Sequence, residues 1–319
     1  MGEKNSGTVR DEIEEGKFVR QEDAFREWIS KDGEFPPVAD RYHLYVSLAC
    51  PWASRTIIVR KWRELERVIG MTVVDPIRDE RGWAFREGPG YSADPINGFN
   101  FLSEAYAATD PDFDGRVTVP VLWDKQRRRI VNNSEDDICR MFNDAFRDLG
   151  NDRDLFPKDI EKEHAEISQW IYDNVNNGVY KAGFATRQVV YERECRKVFA
   201  ALDELEKRLA NNRYLFGDRI VEADWRLFCT LIRFDAVYHG HFKCNLRRIV
   251  DYKNLQGYLM DLYQQPWIAQ TVNFDHIKRH YYMTHEDINP TRIVPIGPDL
   301  GLSAPHGRER FSKTWQTTS

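Results

Sequence analysis

The chain has 319 residues, 41% of them hydrophobic, which is enough for two domains that each bury a core. Basic and acidic side chains nearly balance, leaving a formal net charge of -5 with 30% charged residues, so bulk charge gives no reason to expect a nucleic-acid or membrane-surface partner. Five cysteines, an odd number scattered along a long chain, do not make a disulfide framework; they fit a reducing compartment, with the cytoplasm as the expected location.

Residues 1 to about 40 are polar, with Phe18, Phe25, Trp28 and Phe35 as spaced apolar anchors and Pro36-Pro37 as an extended stop. This reads as an N-terminal arm packed onto the body. The chain is polar through Arg20 with no apolar leader stretch, and no run of about 18 apolar residues occurs, so no membrane span is expected. Arg41 to Ser47 alternates bulky and polar residues and predicts a strand. It leads into Leu48-Ala49-Cys50-Pro51-Trp52-Ala53. Proline suits the first helical turn, where its missing N–H would have had no partner, so Cys50 falls at or beside a helix N-cap. Backbone amides and the positive end of the helix dipole favour thiolate there, and Arg55 and Lys61 add positive charge farther along. Ala53 stands where a dithiol oxidoreductase carries its second cysteine, so a soluble thiol would have to resolve a mixed disulfide on Cys50. Ala53, Ile57, Ile58, Trp62 and Leu65 keep to one side and predict an amphipathic helix.

Met71 to Val74 predicts a second strand, Arg116 to Trp123 a third and Arg129 to Val131 a fourth, after which Asn132-Asn133-Ser134 caps a helix through Phe142. The order β-α-β, then β-β-α, is the thioredoxin arrangement, assigned to residues 41–145. Residues 76–115 form a Gly/Pro/aromatic insertion too long for a plain connection and are expected to shape a site. Past a linker near Asp144 to Lys158 the pattern is helical, and an all-α domain is expected over 158–290. Ile160, His164, Ile167 and Ile171 share a helical face that Asn176-Asn177-Gly178 should end. Tyr191, Cys195, Val198, Leu202, Leu205 and Leu209 form a second such face, and Asp224 to Tyr238 is a third, strongly apolar helix. Residues 291–319, with Pro295, Pro298 and Pro305, read as an extended tail.

Two patterns imitate metal sites. His239, His241 and Cys244 stand at H-x-H-x-x-C spacing but lack a fourth ligand nearby, and packing at a helix end accounts for them better. Asp110 to Gly115 opens like a calcium loop, yet the twelfth position is Val121 where a bidentate Glu is required. No metal is expected. Cys139, Cys195 and Cys229 lie on apolar helical stripes as small core residues.

The runs Arg41 to Ala53, Gly82-Trp83-Ala84-Phe85, Arg116 to Asp124, Arg233 to Tyr238, Gly240 to Asn245 and Asn289 to Pro295 occur in this order. Together they resemble the glutathionyl-hydroquinone reductases, the Xi class of the glutathione transferases. The resemblance covers residues 41–296. It implies a thioredoxin-like domain followed by a helical transferase domain, a homodimer, and glutathione as co-substrate. The implied reaction reduces a glutathionyl-hydroquinone to the hydroquinone through a Cys50-glutathione mixed disulfide and releases oxidised glutathione. It further implies Tyr180 as proton donor and acceptor, with Tyr238 and Tyr281 as hydroxyl donors to Cys50. Trp83, Arg116, Val117, Thr118, Val119, Ser134 and Glu135 are the implied glutathione contacts, Val119 preceding a cis-proline, Ser134 facing the γ-glutamyl carboxylate and Glu135 its ammonium.

The family reads Glu-Ser where this chain has Ser134-Glu135, which leaves open which side chain meets which charge and whether another γ-glutamyl thiol is used. Val221 stands where the helical domain usually has a capping Ser or Thr, a change worth about 1 kcal/mol unless something replaces it. The same Cys50 chemistry also suits an omega-like thioltransferase or dehydroascorbate reductase. A glutathione-binding scaffold without turnover is the alternative of another class.

Overall fold

The computed structural model describes residues 13–311; the first part of the expected arm, residues 1–12, and the end of the expected tail, residues 312–319, lie outside the described residues. In chain order the elements are β1 (Ile13–Glu14), β2 (Lys17–Phe18), β3 (Tyr42–Val46), α1 (Pro51–Trp62), β4 (Gly70–Val73), α2 (Leu102–Thr109), β5 (Val121–Asp124) and β6 (Arg129–Asn132). The helices α3 (Glu135–Asp144), α4 (Glu161–Ile171), α5 (Gly178–Gly183), α6 (Gln188–Arg208), α7 (Glu222–Arg233), α8 (Lys253–Tyr263) and α9 (Phe274–Thr284) follow. They fall into two compact units. The first holds Arg20–Arg153 and Thr271–Val294; the second holds Ile13–Val19, Asp154–Gln270 and the residues from Pro295 onward. Among the described residues no helix is long and apolar enough to cross a membrane.

In the first unit a four-stranded sheet has the order β4-β3-β5-β6, with β3 parallel to β4 and antiparallel to β5, and β5 antiparallel to β6. All five residues of β3 are buried, as a central strand covered on both faces requires. Leu44 pairs with Met71 on one side and Leu122 on the other. The third strand starts at Val121, later than the alternation from Arg116 suggests. Upstream of it the Tyr106 hydroxyl takes the Thr118 backbone groups, accepting from the amide at 3.1 Å and donating to the carbonyl at 2.9 Å, and Pro120 has no N–H to give a ladder.

The insertion contains α2, which the Gly/Pro-rich flanks conceal from a periodicity reading; it supplies the helix between β4 and β5. Helix α1 also departs from expectation. It is buried on nearly every side from Pro51 to Arg60, because α3 packs along it and Arg60 turns its guanidinium onto the Ile69 carbonyl at 2.7 Å. The arm guards the sheet edge: Glu27 N–H donates to the Val131 carbonyl and Asn133 N–H to the Phe25 carbonyl, both at 3.0 Å, covering groups that β6 would otherwise expose. Ile29 and Phe35 are buried here, but Trp28 is 43% exposed and is no anchor.

In the second unit Asn176-Asn177-Gly178 does not end a helix. Tyr172–Asn176 form a π-helical turn and α5 follows directly. The Asn176 side-chain amide is taken by α7, donating to the Arg226 carbonyl at 3.0 Å and to the Thr230 hydroxyl at 2.7 Å. Gly178 serves close approach: a Cβ there would stand 3.0 Å from Val198 on α6. Helix α7 likewise ends at Arg233 and passes into a second π-helical turn, Phe234–Tyr238.

At the start of α7 the missing cap is partly replaced. Asp224 accepts from the Val221 amide at 2.9 Å and the Leu215 amide at 3.0 Å, and its own N–H reaches the Val221 carbonyl at 3.1 Å. The Tyr258 hydroxyl completes the set at 2.8 Å. Full burial nevertheless pushes the Asp224 carboxyl up to about 6.

Arg308, buried, pins the segment after Pro295 to this unit. Its guanidinium donates to the carbonyls of Leu209 at 3.1 Å and Asn254 at 3.3 Å, and to those of Asn212 and Arg213, closing the C-terminal end of α6 where helix carbonyls lack partners. Arg308→Ala should therefore lower the unfolding free energy by roughly 2–4 kcal/mol, read as an earlier midpoint in urea unfolding followed by circular dichroism. An unchanged midpoint would show that the C-terminal segment contributes nothing to the fold.

Candidate active site

Cys50 is the N-cap of α1, with φ -75° and ψ 122°. Its carbonyl accepts from the Ser54 amide at 2.9 Å as the first intrahelical bond, and its Sγ lies 3.7 Å from the Val119 carbonyl. Of the five cysteines it alone is not buried. The Val119–Pro120 peptide beside it is cis, and Val119 itself is buried.

The basic residues expected along this helix are drawn into ion pairs. Arg55 is buried and committed to α3, 3.3 Å from Glu135 and paired with Asp136, and Lys61 bonds Glu66 at 2.6 Å. Charges so paired are partly neutralised by their carboxylates, and the first-turn amides add the positive end of the helix dipole at the N-cap.

Thr118, an expected glutathione contact, is held by Tyr106, whose hydroxyl also receives the Asn133 side-chain amide at 3.2 Å. That one buried phenol ties α2, the segment before β5 and the turn before α3 together. Asn133 and Asn132 also define the start of α3: the Asn132 side chain accepts from the Ser134 amide at 2.7 Å. Ser134 is the N-cap, but its hydroxyl does not cap; it hydrogen-bonds Asp23 of the arm. Glu135, buried, lies near the same carboxyl. Burial first, then the Glu135 charge, pushes Asp23 up to about 7, against the opposing pull of Arg20, Ser134 and Arg26. Asp23 was invisible in sequence, since nothing local distinguishes it from other acidic residues of the arm.

Trp83 is buried and stacks on His280 of α9, ring centroids 5.1 Å apart at 19°, with the Arg78 guanidinium 5.7 Å from the indole. Two histidines of α9 hold the insertion: His280 bonds the Pro76 carbonyl at 2.8 Å and His276 the Pro89 carbonyl at 2.7 Å. Gly90, at φ +83°, permits the second approach, because a Cβ would stand 3.1 Å from the His276 ring. Tyr281, next on α9, is buried with its ring 5.3 Å from His280 and 5.5 Å from His285. Arg116 and Val117 border the same unit's segment before β5, Val117 buried and Arg116 half-buried.

Tyr180 and Tyr238 belong to the second unit, where their rings lie 6.0 Å apart. Phe242 joins both, stacked on Tyr238 at 5.4 Å and edge-on to Tyr180 at 5.4 Å, and Phe18 of β2 stacks on Tyr180 at 6.0 Å. Gly183 makes room for Phe242, whose ring would be 2.2 Å from a Cβ there. Tyr238 ends the second π-helical turn, and Tyr180 sits on α5 just past the first. Such turns re-aim a helix face and recur at functional sites. His241 is held neutral, burial lowering it to about 4, and among the described residues no group of three His, Cys, Asp or Glu is placed to hold a metal ion.

Two family comparisons match this geometry. Residues 49–145 match the glutathione S-transferase N-terminal domain and residues 188–259 the glutathione S-transferase C-terminal domain. The chain is 51% identical over 304 residues to the glutathionyl-hydroquinone reductase YqjG of Escherichia coli K12, covering 92% of this chain and 93% of that protein. It is 46% identical over 284 residues to the glutathionyl-hydroquinone reductase PcpF of Sphingobium chlorophenolicum, covering 89% and 90%. The glutathione-bound structure of YqjG superposes with a TM-score of 0.88 over 90% of this chain and 96% of that one. The glutathione transferase Xi of Phanerochaete chrysosporium, 50% identical, superposes with a TM-score of 0.86 over 88% and 97%. The fold and its two matched domains are those of a glutathione transferase. Within that superfamily, the chain belongs to the glutathionyl-hydroquinone reductases of the Xi class.

The Asp23 carboxyl gives a pH-dependent test. Its folded pKa of about 7 lies above the unfolded value of 3.8, so the folded state holds the proton more tightly and this group's contribution to stability falls as pH rises between those values. Asp23→Asn should be near neutral at pH 4 and stabilising by on the order of 2 kcal/mol at pH 8 in urea unfolding. Equal effects at both pH values would remove the assigned strain.

Proposed function

We propose that Cys50 is the nucleophile by which this chain reduces glutathionyl-hydroquinones. As a family member the chain is a glutathione-dependent enzyme. The Cys50 thiolate attacks the sulfur of the conjugate; the S–S bond forms, the carbon–sulfur bond breaks, and the leaving ring carbon takes a proton to give the hydroquinone. A glutathione thiolate then attacks the glutathione sulfur of the mixed disulfide, releasing oxidised glutathione and restoring Cys50. In balance, one conjugate and one glutathione give one hydroquinone and one glutathione disulfide.

The observation that carries this reading is the half-exposed N-cap sulfur with Ala53 in place of a resolving cysteine, which makes a dissolved thiol necessary for turnover. Tyr180 is proposed to supply the proton to the leaving carbon, and Tyr238 and Tyr281 to donate hydroxyl hydrogen bonds toward the reacting sulfur. Val119 is proposed to pair through its backbone with the cysteinyl part of glutathione, with Trp83, Arg116 and Val117 along the peptide and Thr118 as the fastened base of that segment. The γ-glutamyl ammonium is assigned to Glu135 together with Asp23, which an incoming cation would return to its ionised form; Ser134 and the α3 amides are assigned the carboxylate. A homodimer in the cytoplasm is the proposed assembly and location.

Cys50→Ala should lower turnover of a glutathionyl-hydroquinone roughly a thousandfold or more, and mass spectrometry of wild type incubated with the conjugate alone should place one glutathione on Cys50. Wild type should act faster on the conjugate than on a simple glutathione mixed disulfide; the reverse order would point to an omega-like thioltransferase. An adduct on another cysteine, or substantial activity in the alanine variant, would end the proposal.

A further inference from the structure

We propose that Cys195 and Cys244 form a second thiol site, a dithiol that a small peroxide closes to a disulfide, fastening α6 to the loop that follows Tyr238. It does not depend on the role given to Cys50. The pair lies within the second unit, Cys195 in the middle of α6 and Cys244 on the loop, and both are free and buried. The two thiols lie within hydrogen-bonding reach of each other, one on each side of the backbone turn at Phe242 and Lys243.

The surroundings treat the two sulfurs unequally. Around Cys195 stand the Cys244 thiol, the Tyr191 hydroxyl and the Asn245 amide, the last donating to the Lys243 carbonyl at 2.9 Å. Tyr191 also donates to the Lys243 carbonyl at 2.7 Å, which fixes its hydroxyl beside the pair. The Cys195 sulfur stands 4.0 Å from that same carbonyl, and the Cys244 sulfur 3.9 Å from the carbonyl of Phe242. The hydrogen bond from Cys244, helped by Tyr191, Asn245 and Arg196, brings Cys195 down to about 7 despite burial, while Cys244 is pushed up. One thiol is thus prepared to attack and its neighbour to resolve, the division of labour that Cys50 lacks in its own sequence.

The loop is built to carry this contact to Tyr238. Lys243 holds a left-handed conformation at φ +58°, and the Cys244 amide donates to the Tyr238 carbonyl at 3.0 Å. Since both sulfurs are buried, Cys195 at 3% exposure and Cys244 at 0%, a peroxide fits the access better than a tripeptide disulfide. The Cys195 thiolate attacks one peroxide oxygen, the O–O bond breaks, and the departing oxygen leaves as water with a proton, giving a sulfenic acid. The Cys244 sulfur then displaces the hydroxyl, which leaves as a second water with the Cys244 proton. Two thiols lose two electrons and peroxide gains them.

The experiment uses the full-length Cys50→Ala protein, reduced, treated with hydrogen peroxide below the dose that oxidises Cys139 or Cys229, then unfolded in iodoacetamide and digested. The expected result is one cross-linked species joining the Cys195 and Cys244 peptides, two hydrogens lighter than their sum, with Cys139 and Cys229 alkylated. Cys195→Ser should abolish it and leave Cys244 alkylated. In the oxidised protein, amide exchange over residues 238–245 should slow. Full alkylation of both cysteines, or a sulfinic acid on Cys195 without the cross-link, would overturn the site. A cross-link with unchanged exchange would overturn the coupling to the loop.

Discussion

The hydroxyl of Tyr106 is the constraint on which the first unit depends. Fully buried, it accepts from the Thr118 amide, donates to the Thr118 carbonyl and receives the Asn133 side chain. Backbone groups that would otherwise sit unsatisfied beneath the sheet are thereby paired, and the segment before β5 is kept out of the ladder. Val119 is then presented to the Cys50 sulfur, and the turn that begins α3 is held from the same atom. A phenol on a short helix does this because it both accepts and donates in one place.

Electrostatic satisfaction is distributed unevenly around that frame. Arg41 with Asp124, Arg55 with Glu135 and Asp136, and Arg86 with Asp75 and Asp79 are paired charges that hold segments in register. Asp23 sits instead against Glu135 and pays a burial penalty in the folded state. Asp224 at the start of α7 carries a burial penalty too, but there the Val221 and Leu215 amides and the Tyr258 hydroxyl surround the carboxyl, whereas at α3 a second carboxylate adds to the penalty. In the second unit the corresponding concentration is aromatic: Tyr180, Tyr238, Phe242, Phe184 and Phe18 pack together in stacked, tilted and edge-on pairs, with Phe242 seated against Gly183.

Legibility followed the range of each interaction. The N-cap place of Cys50 could be read because strand alternation, Pro51 and the helix start lie within a few residues, and the four strands because their apolar runs are local. Helix α2 is hidden inside a Gly/Pro-rich insertion, and Asn176-Asn177-Gly178 has the local look of a stop because its partners, Arg226, Thr230 and Val198, are far away in sequence. The pairing of Arg55 with Glu135 and Asp136 of α3 is likewise a long-range contact that the local sequence does not carry.

The residue order by itself determined the thioredoxin-like half, the helical half, the family, and the N-cap place of a cysteine at a strand-to-helix junction, since backbone propensity and capping act over a turn or two. Only the tertiary structure decided that Asp23 meets Ser134 and Glu135, that Tyr106 fastens Thr118, that α9 clasps the insertion through His276 and His280, and that Cys195 lies against Cys244. Each of those contacts joins residues many positions apart, and a hydrogen bond or an ion pair acts over a few ångströms of space, a distance that the chain sets only when it has folded.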